Sequence, residues 1–157
     1  MDVELALAAA EDAESLYDIQ TRAFRPLYEK YKDTQTNPAN ESLGRMRERI
    51  ANPHGVFYKI MAEGCLAGGI CVLWSEERKR CRISPMFIDP AFQGQGIGQL
   101  AIALAFDQFP QAIVWELSTI KEEKRNCHLY EKMGFQCTGM QRQMNKRATL
   151  VAYEKKI

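Results

Sequence analysis

The chain has 157 residues, of which 46% are hydrophobic and 26% are charged, the composition of an ordinary globular protein. This length predicts a single domain over residues 1–157, large enough to bury roughly two-thirds of its unfolded surface. Lys and Arg total 21 against 20 Asp and Glu, so no net field steers the chain towards nucleic acid or an anionic membrane. No apolar run reaches membrane-spanning length.

The N-terminus and the cysteines favour a cytoplasmic location. Asp2 and Glu4 stand where an export signal carries positive charge, so the apolar stretch that follows is not interpreted as a signal. The five cysteines are odd in number and form no Cys-x-x-Cys pair, which is typical of reduced, packed thiols. His54 and His128 lie far apart in sequence, and we predict no metal site.

The first third of the chain predicts a strand, a helical segment, a polar loop and another helix. Their ranges are Val3–Ala8, residues 11–31, residues 32–40 and residues 42–52. Pro26 predicts a kink or a second short helix ending near Tyr31, rather than one long helix. The charged face of the later helix, which carries Arg45 and Arg49, is interpreted as solvated surface.

Three strands are predicted next. Their ranges are Val56–Ala62, Leu66–Trp74 and Cys81–Ile88. Glu63-Gly64, between the first two, is typical of a tight hairpin turn. Pro85 removes one hydrogen-bond donor from the third strand, which predicts a bulge or a splayed edge there. At a splayed edge, an extended ligand with amide groups can hydrogen-bond as an added strand does.

Three closely spaced glycines follow, Gly94, Gly96 and Gly98, in a turn that opens an apolar-striped helix. Glycine lets the backbone lie flush against a ligand, and the first N–H groups of a helix have no intrahelical partner. These donors stand at the positive end of the helix dipole and therefore suit a phosphate. We predict that Gln93–Gln99, the phosphate turn, binds a pyrophosphate. The simpler alternative is a glycine-rich loop that only joins a strand to a helix.

The spacing of these glycines separates the turn from two better-known phosphate sites. The P-loop pattern fails because no Lys-Ser pair follows, and the dinucleotide fingerprint fails because its third glycine position is Gln99. The remaining pattern, Gln93-x-x-Gly96-x-Gly98, resembles the acyl-CoA-binding motif of the GNAT superfamily of N-acetyltransferases.

The last third of the chain predicts a strand, a helix and a final hairpin. Their ranges are Ala112–Ser118, Lys124–Met133, Phe135–Gln143 and Ala148–Lys155. Asn126, followed by Tyr130 and then by Gly134-Phe135, is similar to the second signature of the same family. The simpler interpretations are core packing for Tyr130 and an N-terminal helix cap for Asn126.

The resemblance implies the GNAT fold: an α/β domain with a mixed, mostly antiparallel sheet, whose fourth and fifth strands splay, flanked by helices. It implies an acetyl-CoA-dependent N-acetyltransferase that acylates a primary amine of a small molecule or peptide by direct attack, without a metal. The alternative is a non-catalytic module that binds or senses acyl-CoA. A homodimer is an open alternative to a monomer, because dimers are common in the family.

The resemblance also assigns residues to the cofactor. The implied cofactor-binding residues are Met86, Phe87, Ile88, Gln93, Gly94, Gln95, Gly96, Ile97, Gly98, Gln99 and Asn126. Many relatives place Arg or Lys in the phosphate turn, whereas this chain has only glutamines there. We therefore expect backbone donors and the helix dipole to hold the pyrophosphate, with weaker affinity than an Arg-bearing turn.

Two residues are candidates for catalysis. Tyr130 matches the family tyrosine that acts as general acid, or at least hydrogen-bond donor, to the departing sulfur. Glu116, on the fifth strand, is our candidate for the base that takes a proton from the amine, its simpler interpretation being a surface carboxylate or salt-bridge partner. By resemblance, residues 24–32 and 37–42 line the acceptor pocket, and their mixed charges favour no single substrate charge.

Overall fold

The computed structural model describes all 157 residues, Met1–Ile157. One seven-stranded sheet has the strand order β1-β2-β3-β4-β5-β7-β6. The strands are β1 (Val3–Leu7), β2 (Gly55–Ala62), β3 (Cys65–Ser75), β4 (Arg80–Ile88), β5 (Val114–Ile120), β6 (Gln136–Gln143) and β7 (Thr149–Lys156). The helices are α1 (Ala13–Tyr31), α2 (Leu43–Ala51), α3 (Ile97–Gln108) and α4 (Lys124–Lys132). Only β4 and β5 pair in parallel, which confirms the predicted mixed, mostly antiparallel α/β architecture.

Helices cover both faces of the sheet and divide its core in two. The larger cluster packs α3 and α4 against the sheet, around the fully buried Trp115 and Phe135. The smaller cluster packs the apolar stripe of α1 and Met46 of α2 against Phe57 and Phe87. Burying each such large side chain contributes roughly 1.5–3 kcal/mol, so both layers are fixed on the sheet. No helix combines the length and apolarity needed to cross a bilayer.

Two predictions for the first half of the chain were wrong. Helix α1 runs unbroken through Pro26, because a proline removes a single N–H donor while the rest of the helix packs against β3 and β4. Arg49 is buried rather than solvated, since its guanidinium binds both carboxylate oxygens of Glu41. Arg45, on the same helix, is exposed as predicted.

The two central strands separate after a short paired stretch. β4 and β5 pair only over residues 80–82 and 114–116, although β4 continues to Ile88 and β5 to Ile120. On the other side of β4, the register passes from Ile70↔Met86 to Val72↔Ile83. One residue of β3 therefore stands opposite two residues of β4, one of them Pro85, and the predicted bulge and splayed edge are both confirmed.

Candidate active site

The splayed strands open into a cavity of about 1050 Å³. It extends from the phosphate turn, past the β4 edge and α4, to the loop after α1. Eleven of the thirteen residues predicted for cofactor binding or catalysis line it. They are Met86, Phe87, Ile88, Gln93, Gly94, Gly96, Ile97, Gly98, Gln99, Asn126 and Tyr130. Gln95 and Glu116 do not line it.

The phosphate turn presents a row of free amide groups. None of the six backbone N–H groups from Gly94 to Gln99 donates to an acceptor in the protein, and the first α3 bond is Leu100 N–H to Gly96 O at 3.3 Å. Gly94 and Gly96 have φ of +79° and +78°, a left-handed conformation that favours glycine. These donors stand at the positive end of a twelve-residue helix, and the site therefore fits a phosphate or diphosphate.

Gly98 has a different reason to be glycine. A Cβ there would lie 3.6 Å from Met86 Cε and 3.7 Å from Leu129 Cδ2, which are ordinary contacts. The fold itself therefore does not demand glycine at this position. Its effect is to leave the backbone of the first α3 turn uncovered where it lines the cavity.

Backbone groups of β4 alternate between β3 and the cleft. Asp89 N–H donates to Ala67 O of β3 at 2.7 Å, and a Cβ on Gly68 would collide with the Phe87 carbonyl oxygen. Phe87 therefore uses its backbone towards β3, and alternation directs those of Met86 and Ile88 towards the cleft. The Ile88 carbonyl accepts from Gln93 Nε2 at 3.0 Å. The cleft-facing groups suit an extended ligand with amides.

Tyr130 lies on the cavity-facing side of α4. Its ring packs edge-on against Phe135 at 6.2 Å, and its hydroxyl has no hydrogen-bond partner in the protein. Burial raises the pKa of Tyr130 to about 12, so the phenol remains protonated at physiological pH. This group can donate a hydrogen bond into the cavity. Tyr130 therefore both packs against the core and faces the cavity.

Asn126 also faces the cavity, from the first turn of α4. The residue at the N-cap of this helix is Glu123, and Asn126 N–H donates to Glu123 O at 3.1 Å. The interpretation of Asn126 as a helix cap is therefore wrong. Its side-chain amide makes no hydrogen bond within the protein and is available to a ligand.

The structure places Glu116 away from the cavity. Its carboxylate accepts a hydrogen bond from Arg80 Nη1 at 3.0 Å, because the two residues lie on the same face of the paired part of β4 and β5. This geometry matches the salt-bridge interpretation of Glu116.

Two other carboxylates do line the cavity, Asp33 and Glu123. Asp33 is 2% exposed and accepts from the backbone N–H groups of Gln35 and Thr36, both at 3.1 Å, and from the Thr36 hydroxyl. Glu123 uses one oxygen towards Tyr31 and Lys30, and its other oxygen has no partner. Glu123 was not among the predicted site residues, because it falls between the predicted strand Ala112–Ser118 and the predicted helix Lys124–Met133.

The phosphate turn itself contains no Arg or Lys, but a cation from another helix lies beside it. Arg125 of α4 lines the cavity, and its Nη2 lies 3.9 Å from the position that a Cβ on Gly94 would take. The available signal was the pair Lys124-Arg125 at the start of a predicted helix, directly before Asn126.

Solved structures share this architecture. A chimera of spermidine N-acetyltransferase SpeG from Vibrio cholerae and hSSAT matches with a TM-score of 0.78 and 18% identity, over 99% of this chain and 96% of that one. Microcin C7 self-immunity acetyltransferase MccE, solved with acetyl-CoA and AMP, matches with a TM-score of 0.77 and 19% identity, over 99% and 93% of the chains. The fold is that of N-acetyltransferases.

The sequence gives the family. Residues 13–135 match the model of the Acetyltransferase (GNAT) family, and the chain therefore belongs to it. This confirms the resemblance inferred from the two signatures. The uncharacterized protein YrkN of Bacillus subtilis (strain 168) is 29% identical over 135 residues, which cover 85% of this chain and 72% of YrkN.

Proposed function

We propose that the protein is an acetyl-CoA-dependent N-acetyltransferase that acylates a primary amine of a small molecule or peptide by direct attack. One observation carries this proposal: a single cavity is lined by five of the six residues with unpartnered amides, by an open strand edge and by Tyr130 with its free hydroxyl. Membership of the GNAT family supports it. Five free cysteines, three of them buried, fit the reducing cytoplasm that we propose as its location.

Each part of the cofactor has matching groups in this cavity. The N–H groups of the phosphate turn suit the diphosphate of acetyl-CoA. The cleft-facing backbones of Met86 and Ile88 suit the amides of its pantetheine arm, and Asn126 adds a side-chain amide. In this arrangement, the thioester lies between Tyr130 and the acceptor pocket, which Phe24 and Leu27 of α1, Asp33 and residues 36–38 line.

The amine must lose a proton before it attacks. A lysine-like amine is mostly protonated at pH 7, and deprotonating it costs about 4–5 kcal/mol. Glu123 replaces Glu116 as the proposed proton acceptor, because it lines the cavity and one of its oxygens is free. Asp33 is less available to the amine, since three donors of its own loop already bind its carboxylate.

In the proposed reaction, the amine nitrogen bonds to the thioester carbonyl carbon, and the carbon–sulfur bond breaks. The amine proton passes to Glu123, and the sulfur leaves as a thiolate that accepts a hydrogen bond from Tyr130. With its pKa near 12 against about 8.5 for a thiol, full proton transfer from Tyr130 is uphill by about 5 kcal/mol. Tyr130 therefore acts as a hydrogen-bond donor that strengthens as the thiolate forms.

The placement of Glu116 favours one alternative function, a non-catalytic module. The predicted base is bound to Arg80 outside the cavity, as expected for a module that binds or senses acyl-CoA without turnover. In that case, the cofactor end of the cavity is intact and no carboxylate takes the amine proton.

The experiment is an acceptor screen with acetyl-CoA, using thiol release and mass spectrometry to detect acetylated amines. We expect turnover with at least one amine class, and a kcat about 100-fold lower for Tyr130→Phe, with unchanged cofactor Kd. Cofactor binding without turnover of any amine supports the alternative module. Loss of affinity in Tyr130→Phe with unchanged kcat makes Tyr130 a packing residue.

A further inference from the structure

Helix α4 begins with two cations where its own dipole disfavours them. Lys124 and Arg125 occupy its first turn, which contains no acidic residue. The start of a helix carries partial positive charge, so cations there are unfavourable unless an anion lies nearby. Neither side chain forms an ion pair within the protein. Local conflicts of this kind are expected at functional sites.

A second positive helix end lies at the same place. Arg125 Nη2 approaches Gly94, the first of the six free amides, and α3 begins three residues later at Ile97. Lys124, Arg125 and every residue of the phosphate turn except Gln95 line the same cavity. Two helix starts and two cations therefore converge on one space.

The carboxylates closest in sequence do not neutralise this end. Glu122 accepts from the backbone N–H and the hydroxyl of Thr149, at 2.7 and 2.9 Å. Glu123 directs one carboxylate oxygen to Tyr31 and Lys30, neither of which lines the cavity. The positive charge beside Gly94 is thus left for a ligand.

We propose that Arg125 is a cofactor-binding residue whose guanidinium binds the diphosphate of coenzyme A above Gly94. It supplies from α4 the charge that the three glutamines of the phosphate turn lack. A guanidinium stays charged and offers parallel N–H donors that match phosphate oxygens. This inference rests on the proposed function, because it takes coenzyme A as the ligand of the cavity.

The test is calorimetry of the full chain with two ligands, CoA and 3′-dephospho-CoA. Arg125→Gln raises the Kd of both by the same factor, about 10- to 100-fold, because it removes charge-assisted bonds to a group that both ligands share. It also lowers the salt dependence of binding. Arg147→Gln is the matched control, since Arg147 is exposed, unpaired and outside the cavity. We expect this variant to bind both ligands with the Kd of the wild type.

Three results would overturn the assignment. Equal CoA affinity in Arg125→Gln and wild type excludes a role for this guanidinium, while the proposed function stands. A loss confined to CoA, with 3′-dephospho-CoA unaffected, moves the contact to the 3′-phosphate and excludes the diphosphate. A wild type that binds neither ligand overturns the proposed function together with this inference.

Discussion

The two ends of the cavity differ in how their polar groups are hydrogen-bonded. At the proposed cofactor end, polar groups have no partner in the protein: six amides are free, and Arg125 forms no ion pair. At the acceptor end, side chains bind one another. Gln20 donates to Pro38 O at 3.1 Å and to Glu41 at 3.0 Å, and Glu41 also binds Arg49.

This difference teaches where ligand specificity can come from. Free backbone donors at a helix start select charge and leave the rest of the molecule unspecified, so they suit a ligand shared by a whole family. A network of hydrogen-bonded side chains fixes the shape of a loop instead. We therefore expect the proposed acceptor pocket, which Asp33 and residues 36–38 of that loop line, to be the part that selects a particular substrate.

The largest expected effect comes from neutralising Glu123, the proposed base. Glu123→Gln keeps an acceptor for Tyr31 but removes the proposed base, and we expect a kcat about 100-fold lower near neutral pH. Glu116→Gln is the matched control, because it lies on an ion pair outside the cavity and is expected to retain turnover. The pH dependence of kcat/KM is the measurement. The reverse outcome would restore Glu116 as the base.

The next largest effect concerns the acceptor-end network. Arg49→Met is expected to lower the free energy of unfolding by about 2–3 kcal/mol, because it leaves the Glu41 carboxylate without its main partner. Arg45→Met, on the exposed side of α2, is expected to change it by less than about 0.5 kcal/mol. Urea denaturation gives both values. Equal small effects would mean that the network does not stabilise the loop.

Gly96 and Gly64 give a matched pair for the cofactor end. Their φ angles are +78° and +77°, and a Cβ on either meets no atom within 4 Å. Alanine at each position should therefore cost about 1–2 kcal/mol of stability. Only Gly96→Ala is expected to raise the Kd of CoA, by about 10-fold, since it covers the free amides. Calorimetry showing equal Kd values would contradict the proposed phosphate site.

The smallest expected effect concerns the ion pair between the end of β4 and α1. Asp89, at the end of β4, binds Arg22 of α1 at 3.0 and 3.2 Å, and this hydrogen bonding lowers the pKa of the carboxyl. A lowered pKa contributes stability above the unfolded pKa of about 3.9, and that stability is lost as the pH falls through the folded value.

We expect Arg22→Gln to lower the free energy of unfolding by about 0.5–1 kcal/mol at pH 7, a modest value because the Arg22 side chain is 47% exposed. The difference from wild type should shrink towards pH 2. Thermal denaturation at both pH values measures it. A difference that stays constant with pH would assign the effect to packing of Arg22 rather than to Asp89.

Sequence reasoning succeeded where structure is local. Gly94 and Gly96 adopt the left-handed conformation that a turn before a helix requires, and Pro85 lies in the bulge of β4 against β3, in the part of β4 that no longer pairs with β5. It failed where a long-range partner decides. Arg49 follows the pattern of a solvated helix face, yet Glu41 holds it in the interior.

By itself, the sequence indicated the family through its two signatures. It also indicated the order of elements and the row of free amides, because these follow from patterns within a few residues. Only the tertiary structure decided which carboxylate faces the cavity and which cation lies beside the phosphate turn. Glu116 and Glu123 are equivalent as sequence, and Arg125 lies 31 positions after Gly94. The surroundings of these three residues depend on partners that are distant in sequence and on where α4 packs. No local sequence pattern encodes either.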